Sequence, residues 1–300
     1  MTLTPQQQLA AFPAKQAFFI GIDSDGCAFD TMELKHKECF CPVFIDKFHC
    51  QAVSKYARET WEFVNLYSKW RGCNRWLGVV HVLDLLRKRP EVQRRKARMT
   101  PGTHIREFTR TNNVLSNESI QAAVGRAADP EAKKELTQGL EWSAKVNRII
   151  AEMVHDVPPF PFVRECLEKA RSRADMMVVS QTPADALVRE WHEHGIDAYT
   201  SLIAGQELGT KSEHIQYATT GKYTPGHVLM IGDAPGDLKA ARENKALFYP
   251  INPGDEESSW QRLHEEGLDR FFDGTYAGDY EKGLVAGFEK LLPATPLWEK

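Results

Sequence analysis

The sequence lacks the features that mark a membrane or secreted protein. None of its windows approaches the ~18 apolar residues of a membrane span, and its first residues contain no basic segment leading into a long apolar stretch. The net charge is only -3, with a pI near 6.4, so nucleic acid and anionic membrane surfaces are not favoured as partners. We therefore expect a cytoplasmic protein whose partner is a small molecule, and the sequence leaves its oligomeric state open.

The chain also lacks paired Cys-x2-Cys units. Without an export signal, thiols normally stay reduced, so we predict no disulfides among the six cysteines. Cys39, Cys41 and Cys50 lie near His36 and His49, which invites a zinc interpretation. Their spacing does not match that of a structural zinc site, and we expect buried thiols instead.

Three short apolar runs, at residues 17–22, 176–179 and 228–231, each end abruptly in polar residues. Such runs are typical of parallel strands that are buried on both faces. After the second run, Thr182 is expected to cap a helix that Pro183 begins. Because strands alternate with helices, the sequence predicts an α/β fold with a doubly wound parallel sheet.

The stretch from residue 32 to residue 157 has a different character, with long helix-compatible segments and few strand-like runs. The proline-dense residues 156–161 mark its end, since proline terminates helices and stiffens linkers. We predict an all-α domain at 32–157, inserted into an α/β core formed by 1–31 and 158–300. Trp61, Trp70 and Trp76 are expected in the core of the helical domain, and the basic run 87–98 is expected to be a solvated helix face.

Polar residues that end separate strands of a parallel sheet converge at one edge of that sheet. Asp23 and Asp25 end the first run, and Asp233 and Asp237 follow the third. Magnesium prefers a few carboxylates together with phosphate oxygens and retained waters. The natural hypothesis is metal-assisted phosphoryl chemistry with Mg²⁺ as the cofactor.

Four motifs in order make a resemblance specific. Asp23-Ser24-Asp25-Gly26 with Asp30-Thr31 resembles the first signature of haloacid dehalogenase-like phosphotransferases. Ser180 after Val178-Val179 resembles the second signature, Lys211 the third, and the segment from Gly232 to Asp237 the fourth. The match covers residues 18–31 and about 160–249, and leaves the helical insertion and the C-terminal tail unmatched. The resemblance implies a Rossmann-like core with a helical cap inserted after the first motif.

The resemblance also implies a role for each motif residue. Asp23 is the expected nucleophile, which becomes an aspartyl phosphate, and Asp25 the expected general acid and base. The expected metal ligands are Asp23, Asp233 and Asp25, the last through its backbone carbonyl. Ser180, Gln181 and Lys211 are expected to bind the phosphoryl group, and Lys211 also to act in catalysis. Asp237 is expected to orient Lys211 or the water shell of the metal.

The function expected from these roles is a magnesium-dependent phosphatase that hydrolyses a small phosphorylated metabolite. A phosphomutase would need the same four motifs, so it stays open as an alternative. A dehalogenase has no alkoxide leaving group to protonate, and Asp25 argues against it, as it does against a phosphonate-cleaving enzyme. A catalytically inactive binding protein is a further alternative, because a fold does not guarantee chemistry.

Overall fold

The structure is a computed structural model that describes residues 3–299. Its α-helices, in chain order, are α1 (Pro5–Ala10), α2 (Thr31–Leu34), α3 (Cys41–Lys47), α4 (Ser54–Asn65), α5 (Arg75–Lys88), α6 (Pro90–Arg95), α7 (Thr103–Thr111), α8 (Asn117–Arg126), α9 (Pro130–Met153), α10 (Val163–Ala170), α11 (Ala184–Glu193), α12 (Lys211–Thr219), α13 (Pro235–Glu243), α14 (Glu256–Arg262), α15 (Leu268–Phe272) and α16 (Asp279–Leu291). Short π-helical segments occur at Lys35–Phe40 and Leu263–Gly267, and 3₁₀ turns at Gln51–Val53, Asp197–Tyr199, Gln206–Leu208 and Leu297–Glu299.

Five parallel strands form one sheet in the order β3-β2-β1-β4-β5. The strands are β1 (Phe18–Ile22), β2 (Ala174–Val179), β3 (Leu202–Ala204), β4 (Val228–Gly232) and β5 (Leu247–Pro250). The central strand β1 pairs with β2 and β4, and Ile22 lies opposite Val178 on one side and Ile231 on the other. The predicted α/β fold with a parallel sheet is confirmed.

Alternating side chains of the strands enter two separate apolar clusters. Ile20 and Ile22 of β1 belong to one cluster, together with Met176 of β2, whereas Phe19 and Met177 belong to the other. Successive side chains of a strand point to opposite faces of the sheet, so the two clusters lie on its two faces. Both faces are covered, which explains why the strands are continuous apolar runs rather than alternating ones.

The described chain divides into two compact units. One contains the residues described before Glu33 together with Asp156–Pro293, and it holds the sheet. The other contains Glu33–His155 and the described residues from Ala294 onward, and its regular structure is helical. The sequence-based division placed the segment after Pro293 with the core, whereas here it groups with the helical unit. In that unit, Trp298 packs edge to face against Phe63 with ring centroids 5.4 Å apart.

Aromatic side chains form much of the core of the helical unit. Trp61, Trp76 and Trp142 are fully buried and meet edge to face, whereas Trp70 is partly buried beside the same cluster. In the same unit, the buried Glu135 accepts hydrogen bonds from the backbone N–H groups of Gly102, His104 and Ile105, at 2.7 to 3.1 Å. This carboxylate therefore satisfies N–H groups that the first turn of α7 leaves without helical partners.

Two further predictions concern the helical unit. The basic run is only partly a solvated face: Arg94 and Arg95 are exposed, but Arg89 is buried, stacks on Tyr56 and Trp298, and pairs with Glu59 at 2.6 Å. Two nearby aromatic rings and an acidic partner can hold a guanidinium that a run of basic residues alone assigns to solvent. All six cysteines are free, and those at positions 39, 41 and 50 are buried, as expected.

Over the described residues, no helix is both long and apolar enough to cross a bilayer.

Candidate active site

The carboxyl ends of three neighbouring strands carry the polar residues that the sequence singled out. Asp23 follows β1, Ser180 follows β2 and Asp233 follows β4. The backbone continues the sheet into these positions, since Asp23 N donates to Ile231 O at 3.0 Å and Ser180 N donates to Ala204 O at 3.0 Å. Because β1 lies between β2 and β4, Asp23 occupies the middle of this edge.

Three aspartates form a buried acidic cluster. Asp23, Asp233 and Asp237 each place a carboxylate oxygen so that these atoms all lie within 4.8 Å of one another. Asp237 reaches the cluster from α13, where its Oδ2 accepts a hydrogen bond from Ala234 N at 3.0 Å. Its side chain packs directly against Gly232, where a Cβ would lie 2.6 Å from Asp237 Oδ2. A glycine is therefore required at position 232 for this approach.

Lys211 provides the positive charge beside this cluster. It is the first residue of α12, whose start is held by a capping box between Thr210 and Glu213. Its Nζ lies 2.8 Å from Asp23 Oδ2 and 2.6 Å from Asp237 Oδ1. Burial by itself would lower the pKa of Lys211, but these two carboxylates outweigh that effect and raise the pKa above its ordinary value, so the ammonium stays charged.

The electrostatic environment of Asp23 is unfavourable for an isolated carboxylate. Burial raises the pKa of Asp23 well above its ordinary range. Lys211 acts in the opposite direction, whereas the carboxylates of Asp237 and Asp233 raise the pKa further. The protein therefore concentrates more negative charge here than one ammonium balances.

Asp25 is oriented by two hydroxyl groups rather than by the acidic cluster. Its Oδ1 accepts a hydrogen bond from Thr31 Oγ1, and its Oδ2 accepts one from Thr182 Oγ1 at 2.8 Å. The predicted helix cap at Thr182 is wrong: the N-cap of α11 is Pro183, and the Thr182 hydroxyl turns to Asp25 instead. Helix-start rules consider only local partners, so they cannot predict a contact with a residue 157 positions away.

Ser180 and Gln181 lie in the turn between β2 and α11. The Ser180 hydroxyl is buried and accepts a hydrogen bond from Thr182 N at 3.2 Å. The Gln181 amide group donates to Gly209 O at 2.9 Å and to Ser180 O at 3.2 Å. Gln181 therefore links this turn to the loop that precedes Lys211. The structure thus brings Asp23, Asp233, Asp237 and Lys211 together, with Asp25 and Ser180 on the adjoining turns.

The donor set of the acidic cluster fits a magnesium ion. Three carboxylates supply hard oxygen ligands, and a divalent cation would offset the negative charge of Asp237 and Asp233 that, in addition to burial, raises the pKa of Asp23. The cluster contains Asp237 in addition to the predicted Asp23 and Asp233, while the Asp25 carboxylate is held by hydroxyls. The predicted role of Asp25 as a ligand used its backbone carbonyl and stays a prediction.

A comparison with models of protein families finds a match to part of the chain. A family model described as haloacid dehalogenase-like hydrolase matches residues 103–249, which include Ser180, Lys211, Asp233 and Asp237 but neither Asp23 nor Asp25. This match supports the resemblance to the haloacid dehalogenase-like superfamily that the sequence motifs indicate. A search of curated proteins finds no match.

Several solved structures are similar to this chain at low identity. They include a β-phosphoglucomutase from Clostridium difficile, 13% identical, with 88% of this chain and 100% of that chain covered and a TM-score of 0.48. A protein described as a predicted phosphoglycolate phosphatase from Haemophilus somnus is 16% identical, with 79% and 86% covered and a TM-score of 0.44. A haloacid dehalogenase-like family hydrolase from Streptococcus pneumoniae is 15% identical, with 81% and 90% covered and a TM-score of 0.42.

Proposed function

We propose that this protein is a magnesium-dependent phosphatase that hydrolyses a small phosphorylated metabolite through an aspartyl phosphate on Asp23. The observation that supports the proposal best is the pairing of a buried three-aspartate cluster with Lys211, whose Nζ lies 2.8 Å from Asp23 Oδ2. A nucleophilic carboxylate, a divalent cation site and a fixed ammonium are the groups that phosphoryl transfer to an aspartate requires.

In the first half-reaction, Asp23 attacks phosphorus in line with the departing oxygen of the ester. Lys211 stabilises the negative charge on the nonbridging oxygens, and Ser180 with backbone N–H groups of its turn holds them in place. Asp25 gives its proton to the leaving oxygen, so that the product departs as a neutral alcohol. The hydroxyls of Thr31 and Thr182 keep the Asp25 carboxyl in one orientation for this transfer.

In the second half-reaction, Asp25 removes a proton from water, which attacks phosphorus and releases phosphate from Asp23. A magnesium ion held by Asp23, Asp233 and the backbone carbonyl of Asp25 would reduce the repulsion between the anionic nucleophile and the anionic phosphate. Asp237 Oδ1 accepts a hydrogen bond from Lys211 Nζ at 2.6 Å, and in this proposal Asp237 fixes the ammonium in place.

In the sequence, most of the helical unit, Glu33–His155, lies between the first motif and the remaining residues of the core. We propose that it acts as a cap that excludes water from a small substrate during turnover. A cytoplasmic location and a phosphate ester as the binding partner belong to the same proposal.

Turnover of p-nitrophenyl phosphate and a panel of phosphorylated metabolites, with Mg²⁺ and with a chelator, tests the function. We expect Asp23→Asn to lose at least about 1,000-fold in kcat, while the control Asp279→Asn, at a fully exposed position, keeps wild-type activity. The chelator should abolish turnover, and added Mg²⁺ should restore it. If wild type and Asp23→Asn were equally inactive on the whole panel, the proposal would be wrong.

Phosphorus NMR of the products separates the phosphatase from the phosphomutase alternative, which would use the same four motifs. Free phosphate identifies a phosphatase. An isomeric phosphate ester without released phosphate identifies a phosphomutase.

A further inference from the structure

Ser24, the residue between the two catalytic aspartates, carries a buried hydroxyl that the proposed mechanism does not use. Its Oγ accepts a hydrogen bond from the indole Nε1 of Trp191 at 3.0 Å and donates one to Glu190 Oε2 at 3.0 Å. Ser24 and Trp191 are both completely buried. The three groups form a directed chain from indole to hydroxyl to carboxylate, in which each bond polarises the next.

The backbone of Ser24 is held as firmly as its side chain. Its carbonyl accepts hydrogen bonds from the N–H groups of Cys27, Ala28 and Phe29, at 2.9 to 3.2 Å. Phe29 also packs edge to face against Trp191, with ring centroids 5.9 Å apart. Trp191 therefore contacts the first motif at two places, at the hydroxyl of Ser24 and at the ring of Phe29.

Helix α11, which carries Glu190 and Trp191, contacts the same motif from its other end. The residue before its N-cap, Thr182, donates its hydroxyl to Asp25 Oδ2 at 2.8 Å. Thr182, which directly precedes this helix, thus holds Asp25, and Trp191 within the helix holds the backbone between Asp23 and Asp25. A rigid element that contacts both sides of a catalytic turn restricts the orientation of both carboxylates.

We propose that Ser24 and Trp191 are positioning residues, which fix the relative orientation of Asp23 and Asp25 through the Trp191–Ser24–Glu190 hydrogen-bond chain. The proposal rests on the proposed phosphatase function, because it assigns Asp23 and Asp25 to the reaction. Loss of these hydrogen bonds should lower kcat more than it changes KM. The transition state requires the carboxylates of Asp23 and Asp25 in their correct relative orientation, whereas substrate binding does not.

The test compares variants that differ in one group. Ser24→Thr and Ser24→Val have nearly the same shape, but only threonine keeps the hydroxyl, so their difference isolates the hydrogen bond from steric strain. Trp191→Phe removes the indole donor, and Tyr249→Phe is the control. Tyr249 is fully buried in the same apolar cluster as Trp191, and its hydroxyl donates to Ser259 O at 2.6 Å, so its loss removes a buried hydrogen bond in which no residue of the first motif takes part.

We expect kcat of Ser24→Val to be at least about 10-fold below that of Ser24→Thr, with KM changed by less than about threefold. Trp191→Phe should also lower kcat, and the Ser24→Val/Trp191→Phe double variant should lose less than the product of the two single effects, because both break one chain. Tyr249→Phe should retain wild-type kcat. Equal kcat values for Ser24→Thr and Ser24→Val, with Trp191→Phe as active as Tyr249→Phe, would overturn the proposal.

Hydrogen exchange of residues 23–31 supplies a readout that needs no activity. These amides should exchange faster in Ser24→Val and Trp191→Phe than in Ser24→Thr and Tyr249→Phe. If the wild type hydrolysed no phosphate ester, the proposed function would fail. Hydrogen exchange alone would then decide whether the Trp191–Ser24–Glu190 hydrogen bonds hold this turn in place. Unchanged exchange would refute the positioning role on its own.

Discussion

Gly232→Ala is the substitution for which the structure makes the sharpest prediction. A Cβ at this position would lie 2.5 Å from Asp237 Cγ and 2.6 Å from Asp237 Oδ2, well inside van der Waals contact. Asp237 cannot move away cheaply, because its two oxygens are bonded to Ala234 N and to Lys211 Nζ, at 3.0 and 2.6 Å. The new methyl group must therefore displace the aspartate and disturb the ammonium beside Asp23.

The expected cost follows from these contacts. Overpacking of a buried site costs about 1–3 kcal/mol, and weakening of a hydrogen bond to a charged group adds about 1.5–3 kcal/mol. We expect Gly232→Ala to lower the free energy of unfolding by about 3 kcal/mol. If Lys211 shifts with Asp237, kcat should fall by about 100-fold, as expected for a misplacement near 1 Å.

Gly236→Ala is the matched control, four residues further along in α13. A Cβ at Gly236 would meet nothing within 4 Å, and alanine in place of glycine in a helix stabilises by up to about 1 kcal/mol. Urea denaturation and steady-state kinetics of both variants provide the measurement. Equal stability and activity of the two variants would refute the packing argument for Gly232.

Three further predictions concern single side chains. Asp25→Asn should reduce kcat/KM, which reports formation of the aspartyl phosphate, by about 100- to 10,000-fold for alkyl phosphates and much less for p-nitrophenyl phosphate, whose leaving group departs without a proton. Equal losses in kcat/KM with both substrates would contradict its role as an acid. Glu135→Ala should lower the free energy of unfolding by about 3 kcal/mol, because it leaves three N–H groups at the start of α7 without their carboxylate acceptor. Glu131 is exposed, so the control Glu131→Ala should lower the free energy of unfolding by less than about 1 kcal/mol. Urea denaturation measures both changes. Burial lowers the pKa of His214 from its ordinary 6.5 to about 4, so the unfolded chain binds more protons between these values, and stability is lost as the pH falls from 6.5 towards 4. The loss should reach about 2 kcal/mol by pH 5 and be absent from His214→Leu; a wild-type loss that persisted in this variant would exclude His214 as its source.

The sequence alone was sufficient to predict a parallel sheet and the convergence of the polar residues that end its strands. The apolar runs of β1, β2 and β4 are continuous, as is typical of parallel strands that are covered on both faces. Each run could therefore be predicted as a buried parallel strand from its own residues. Parallel strands then place Asp23, Ser180 and Asp233 at one edge whatever the sequence distance between them. Spacing and strand ends therefore carried most of the information about the site.

Only the tertiary structure decided which partners these side chains take. The sequence predicts a helix cap at Thr182, but the hydroxyl of Thr182 donates to Asp25. It predicts a solvated helix face at Arg89, but Arg89 is buried close to two aromatic rings. The link from Ser24 to Trp191 spans 167 positions, and no local pattern of residues encodes it. Hydrogen bonds and ring contacts of this kind depend on which surfaces meet after the chain has folded. Propensity and periodicity describe each segment by itself, so they determine the elements and leave the contacts between them to packing.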